Sequence, residues 1–411
     1  LSQAHSNMSL ALIALGKHGL ARSEGEIAAS IADQCRSTLT RFPATANLVE
    51  STCRFGLVRE AVVYARRTME LMAEVQNPVL FHEGYAVVSE ARVTFGDYAA
   101  AREILGALDV DANANLAVHA RGQIRYVTSW MSYLLGDHAS ALREVEALKE
   151  LHTCSGPVFE YELGEAIRAA VLCSDGRRTQ CKELLLELDK SLRRKGSPYP
   201  NCVVNLLLAE ILLEDGELES ARRCIRWALN LSRAMPSLHL NARALLLRAR
   251  WWRLTAERSF AAKDAPDRLL DLQQARMEIG ASLRLAEEAG VDDMIWPVYA
   301  EWARIEEQLS EWQAAADCSR KALQHLEKAQ EKVARQDVEG FLSALGRGKT
   351  RSECESRLFR IHSTEIREEP RPGVMEEAHS RILAQVTRVI GNISDRDALL
   401  ESLVDLMIQA V

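Results

Sequence analysis

The chain has 411 residues, of which 47% are hydrophobic and 27% charged, with a formal net charge of −7. That balance argues against a nucleic-acid footprint, which needs a basic stripe to neutralise phosphates, and no apolar run approaches the roughly eighteen residues of a membrane span. The nine cysteines, an odd count, form no C-x-x-C pair, which fits a reducing cytoplasm.

From the N-terminus, glycine recurs at Gly16, Gly56, Gly96, Gly136, Gly176 and Gly216, each 40 residues after the last. Five residues beyond each stands a small side chain: Ala21, Ala61, Ala101, Ala141, Cys181 and Ala221. Seven residues before each stand Ser9, Val49, Ser89, Ser129, Ala169 and Ala209. A glycine accepts the left-handed backbone of a turn at little cost, and small residues on both sides of it let two helices cross closely. The spacing predicts stacked helical hairpins of about 40 residues, the mark of a solenoid. A solenoid buries its core one neighbour at a time, so the length does not require two globular domains.

Beyond Gly216 the pattern stretches. Ser310-Glu311-Trp312-Gln313-Ala314-Ala315 repeats the turn, with Ala303 seven residues earlier. The hairpin between is expected to run from Leu238 through Trp251 and Trp252, loop near 259–267, and return from Arg268 to Ala289. Eight hairpins therefore fill residues 1–345. The opening at Leu1 reads as mid-helix, so the chain is expected to be a segment of something longer.

A small residue, seven positions, a turn glycine and an alanine five beyond it, as in Gly96-Asp97-Tyr98-Ala99-Ala100-Ala101, resemble the tetratricopeptide repeat (TPR). The position four before the turn, often a large aromatic in that family, holds Leu12, Thr52, Arg92, Ser132, Leu172 and Leu212, and the period exceeds the usual thirty-four or so residues. This longer variant is similar to the solenoids of large bacterial signalling regulators. The resemblance implies an all-α superhelix whose first helices line a concave groove for a protein or peptide partner. Transferring the family's inward-facing offsets places Gln123, Tyr126, Trp130 and Tyr133 of the fourth repeat and Glu83, Ala86, Glu90 and Val93 of the third in that groove. The expected partner-binding residues are Glu83, Glu90, Gln123, Tyr126, Trp130 and Tyr133, an aromatic and acidic patch suited to a peptide with apolar anchors and a basic residue. The competing reading is that the rings fill the hollow between repeats.

Other motifs have plainer readings. Cys181 occupies a small-residue slot and reads as packing. His152 and Cys154 lack a second pair at ligand spacing, so no metal is expected. Gly346-Arg347-Gly348-Lys349-Thr350 ends like a phosphate-binding loop, but Ser343 replaces the loop's first glycine and Val338 to Leu345 reads as helix, leaving a Gly-rich helix stop. No triad, carboxylate pair or dinucleotide turn stands out, so neither catalysis nor a cofactor is expected.

Residues 346–373 read as a polar linker ending in Glu368-Glu369-Pro370-Arg371-Pro372-Gly373. Residues 374–411 read as helical, broken at Gly391-Asn392-Ile393-Ser394, with Ser394 as the cap of a last helix. Ile382 to Ile390 and Asp397 to Asp405 resemble the signalling helix and first helix that lead into GAF sensor domains. A long-period solenoid before such a tail is similar to bacterial regulators that continue into a GAF domain and a sigma-54-activating ATPase. The resemblance implies an interaction and regulatory module of a multidomain signalling or transcription regulator. The alternative is the recognition arm of an effector enzyme, such as a TPR-linked protease.

Overall fold

The computed structural model describes residues 1–35, 37–74, 78–108, 117–261 and 265–368. The first four hairpins pair α1 (Ser2–Ala14) with α2 (His18–Cys35), α3 (Thr38–Phe55) with α4 (Val58–Glu74), α5 (Pro78–Phe95) with α6 (Tyr98–Gly106), and α7 (Val118–Leu134) with α8 (His138–Ser155). The next four pair α9 (Tyr161–Ser174) with α10 (Arg178–Lys195), α11 (Pro198–Glu214) with α12 (Leu218–Ala234), α13 (Leu238–Ala261) with α14 (Ala265–Ala289), and α15 (Asp292–Gln308) with α16 (Trp312–Glu331). A short α17 (Val338–Ser343) and a long α18 (Arg347–Glu368) follow. No strand occurs among the described residues.

Residues 1–355 form one compact unit and 356–411 a second. Only the end of α18 represents the second unit among the described residues, so the tail at 374–411 and its GAF-like reading lie outside them. The stretch expected to be a linker differs: it is helical over Arg347–Glu368. Its polarity is that of a solvated helix carrying pairs such as Arg351 with Glu355 at 3.1 Å, and it holds no proline before Pro370. The break falls just upstream, where Leu345 and Gly346 have φ of +54° and +67°.

The repeat register is visible in the backbone. The six turn glycines have φ between +70° and +92°, and Ser310 takes the same role in the eighth hairpin at +63°. The small residues five positions on, from Ala21 through Cys181 to Ala221 and Ala315, are all 0% exposed. Their counterparts seven positions before the turn are equally buried, and in the first hairpin Ser9 Oγ donates to the Ala21 carbonyl at 2.7 Å. Such a crossing has no room for added carbons, so Ala141→Leu should cost about 1–3 kcal/mol. Ala139→Leu, on the exposed side of the same helix, should change stability by under about 0.5 kcal/mol. Equal denaturation midpoints for the two variants would contradict the register.

The odd-numbered helices α1 to α15 pack one on the next and form a continuous inner layer, each also packing on the second helices beside it. The superhelix then meets itself. At Gly16 of the first hairpin a Cβ would lie 2.5 Å from Pro198 Cγ at the start of the sixth. Ser237, entering the seventh hairpin, donates its hydroxyl to the Arg54 carbonyl of the second at 2.8 Å. In the third, Ala99 N–H donates to Lys332 O at 3.1 Å, just beyond the eighth. Gly136 of the fourth abuts Gly340 of α17, where a Cβ would stand 2.5 Å from the carbonyl oxygen. Each of the first four hairpins thus touches the part of the chain five places on, so several turn glycines serve both a left-handed turn and the closure of a superhelical turn.

One buried clasp holds this closure. Arg347 is 0% exposed and donates to both oxygens of Asp293, at 3.1 Å and 2.6 Å. It also donates to the Leu134 carbonyl at 2.7 Å and lies over the Phe341 ring at 3.9 Å. Asp293 further accepts from Tyr98 Oη at 2.7 Å and Trp296 Nε1 at 2.8 Å. Burial alone would raise the Asp293 pKa, but Arg347 and these donors hold it below the usual carboxylate range. The Gly346–Thr350 motif therefore supplies a structural arginine.

Candidate functional site

The inner helices carry buried charged residues. Glu50 of α3 and Glu90 of α5 occupy the same repeat position, six residues before their turn glycines, and Trp130 of α7 occupies the next. Arg54, on the last turn of α3, is 1% exposed and lies 3.2 Å from Glu50 and 3.6 Å from Glu90. Its guanidinium sits between the Phe159 and Tyr199 rings, 5.0 Å and 5.1 Å from their centroids. Burial opposes its charge, but Glu90 and Glu50 hold it protonated. No nitrogen of that guanidinium is hydrogen-bonded among the described residues.

Glu160 precedes α9 and is fully buried, with neither carboxylate oxygen hydrogen-bonded among the described residues. His119, half exposed, stands 3.7 Å away. Burial pushes the Glu160 pKa up to about 7, against the pull of His119 and Arg54. Burial also raises Glu90 and Glu83. His18 and His239 flank Tyr199, with ring centroids 5.7 Å and 6.2 Å from its own. Burial and then the Arg54 charge lower their pKa values to about 3 and about 4, so both are neutral at physiological pH. One guanidinium thus lies near three buried acids, and burial disfavours the charged form of two of them, Glu90 and Glu160.

The expected site residues take definite places. Gln123 Nε2 donates to Glu90 Oε2 at 2.8 Å, and both are buried. Tyr126 is buried and stacks on half-buried Trp130, centroids 6.0 Å apart and planes at 16°. Tyr133 is half-buried and stacks on His138 at 6.2 Å, and Glu83 is half-buried. Of the six, Glu90, Gln123 and Tyr126 are buried and Glu83, Trp130 and Tyr133 half-buried. Glu50 shares the offset of Glu90 and was legible one repeat earlier. Arg54, Glu160, His18, Tyr199 and His239 carry no such signal, because contacts between hairpins as many as five places apart bring them together.

The other motifs are structural. His152 Nδ1 accepts from Val158 N–H at 3.1 Å and its ring stacks on Tyr161 at 4.2 Å. Cys181 is fully buried. Among the described residues no cluster of three or more His, Cys, Asp or Glu could hold a metal, and no helix is long and apolar enough to cross a membrane. An open groove of about 490 Å³ lies between α10, α11 and α12 on the outer surface. Its floor is already satisfied: Asp189 accepts from Asn201, Asn205 and Arg193, and Trp227 donates to Asn201.

No family model matches the sequence, and no curated protein sequence matches it. The fold is similar to the crystal structure of a Rap protein complexed with competence and sporulation factor, with a TM-score of 0.55 at 11% identity over 90% of this chain and 99% of that one. More distant likenesses are to the apo form of RapI (TM-score 0.42, 10% identity, 79% and 98% covered) and to yeast Tom70 (TM-score 0.40, 13% identity, 85% and 63% covered). At these identities the likeness is one of fold: the chain is a TPR-like superhelical array.

Proposed function

We propose that the array is a protein-interaction module that holds a peptide segment of a partner along its inner helices. Apolar anchors lie against Tyr126, Trp130 and Tyr133, and a basic residue faces Glu83, Glu90 and Glu160. The supporting observation is Glu160, a buried carboxylate without a hydrogen-bond partner among the described residues. Burying such a group is costly unless a counter-charge compensates it, and a ligand cation supplies one. A Rap protein of similar fold was solved in complex with a factor, which fits a ligand-holding array. Context comes from the sequence of 374–411: the module belongs to a multidomain bacterial signalling or transcription regulator and works in the cytoplasm.

Panning a random peptide library on the protein tests this reading. Enriched peptides should carry Lys or Arg beside aliphatic or aromatic residues. Trp130→Ala and Tyr133→Ala should each weaken their binding by about 1–3 kcal/mol, as truncated aromatic anchors do, with little change in melting temperature. A large fall in melting temperature with unchanged affinity of the folded fraction would mean that the rings are packing alone.

A further inference from the structure

The second helices of the hairpins differ in charge. Helix α10 carries six basic and three acidic residues and α12 four and one, while none of the other six has a positive balance. In a chain of net charge −7, the positive charge of the second-helix face is therefore concentrated on the fifth and sixth hairpins. The groove of about 490 Å³ lies between these two helices. Leu186 of α10 lines it, 47% exposed and the only large apolar side chain exposed between Phe81 and Leu269 among the described residues.

The floor of the groove has no polar demand left. Leu208 and Leu212 of α11 line it, and Asp189, Asn205 and Trp227 already have hydrogen-bond partners. The cations of the rim differ. Lys182 pairs with Asp215 and Glu217, at 2.5 Å and 2.6 Å, and Arg193 pairs with Asp189 at 2.8 Å while lying 4.4 Å from the centroid of the Trp227 ring. Arg223 donates to the Ser220 hydroxyl at 3.2 Å, and neither it nor Arg226 meets a carboxylate among the described residues. An occupant thus has to bring apolar surface for Leu186 and the floor, and negative charge for the α12 rim. Small molecules are enclosed by the pockets that hold them, which an open trough does not do. Nor does the groove offer bases a platform, since Trp227 is the one aromatic ring in its lining and Arg193 covers it. A helix needs to bury only one stripe. The lining runs from Lys182 to Arg193 on α10 and from Glu217 to Asn230 on α12, about 17–20 Å at 1.5 Å per residue, or about three to four helical turns.

We propose that this groove is a second interaction surface, independent of the inner-helix site, and that its occupant is an acidic amphipathic helix of a partner protein. Its apolar stripe lies over Leu186 and the floor, and its Asp or Glu residues face Arg223 and Arg226. Panning a helix-biased peptide library on the full chain and on Arg223→Glu with Arg226→Glu tests it. Both arginines are exposed, so the helical melt should be unchanged. Peptides enriched on the wild-type protein but not on the double variant should carry apolar residues at helical spacing and a net negative charge. Their dissociation constants should rise by about ten-fold or more in the double variant, rise in Leu186→Gln and with added salt, and stay the same in Trp130→Ala. Peptides that lose binding in Trp130→Ala instead belong to the inner helices, so the two readings fail separately. Failure to enrich any peptide that the double variant loses would overturn the proposal, as would selected peptides with no excess of Asp and Glu. An oligothymidylate probe that binds through Arg223 and Arg226 when no peptide does would overturn it in favour of a nucleic-acid face.

Discussion

Replacing Arg347 with Met should destabilise the compact unit by about 3–5 kcal/mol, the range for breaking a buried ion pair by removing one partner. The side chain is fully buried, and its loss leaves the Asp293 carboxylate without its counter-charge and the Leu134 carbonyl without its donor. The effect should depend on pH, and the sign follows from the carboxylate. In the wild-type protein the Asp293 pKa is depressed, so its stabilisation is present above the unfolded value near 4 and is lost as pH falls through the native value. In the variant the same carboxylate is buried without Arg347, its protonation is favoured by folding, and acid should narrow the gap. Urea midpoints at pH 7 and pH 5 measure both. An equal deficit at the two pH values would show that Asp293 does not carry the effect. Arg347→Met also opens the contact between the fourth hairpin and α17, so unfolding in two steps would locate the clasp as the seam of the superhelix.

Glu160→Gln should act in the opposite direction and stabilise the protein. Burial raises the Glu160 pKa to about 7 from an ordinary 4.5, so between those values the folded state binds more protons than the unfolded state. Stability attributable to this group therefore falls as pH rises from 4.5 to 7 and is flat above. The difference corresponds to about 3 kcal/mol at pH 8, which the neutral amide recovers, while at pH 4 the two proteins should be alike. Thermal or chemical melts at both pH values read this directly. A wild-type protein as stable as the variant at pH 8 would mean that Glu160 already has a counter-charge, and the proposed role of a ligand cation would lose its support. Under that role the stabilised variant should bind the selected basic peptides more weakly, which separates a binding residue from a merely strained one.

These two residues describe opposing parts of one design. The clasp around Arg347 and the glycine contacts stabilise a closed superhelical turn, and Arg54, beside Glu50 and Glu90, is buried against Tyr199 across that closure. Natural proteins sit little above the stability they need, and destabilising arrangements persist where function uses them.

The sequence by itself determined the hairpins, because a hairpin is a local object. Gly136, Ala141 and Ser129 lie within a dozen or so residues of one another, and each has a local requirement: positive φ at the turn, and no side-chain bulk at the crossing. The eighth hairpin followed from the same rule even with Ser310 in place of glycine. The pairing of Glu90 with Gln123 and of Tyr126 with Trp130 agrees with the helical spacing, since that spacing assigns residues to a face. Only the tertiary structure decided what those residues meet. The meeting of Arg54 with Tyr199 and His239, or of Arg347 with Leu134, depends on small rotations summed over four or five hairpins, and no local pattern records such a sum. The helical state of Arg347–Glu368 was missed for a related reason. Polar composition leaves helix and linker alike in sequence, and here the contacts of Arg347 and Cys354 with the array favour the helix.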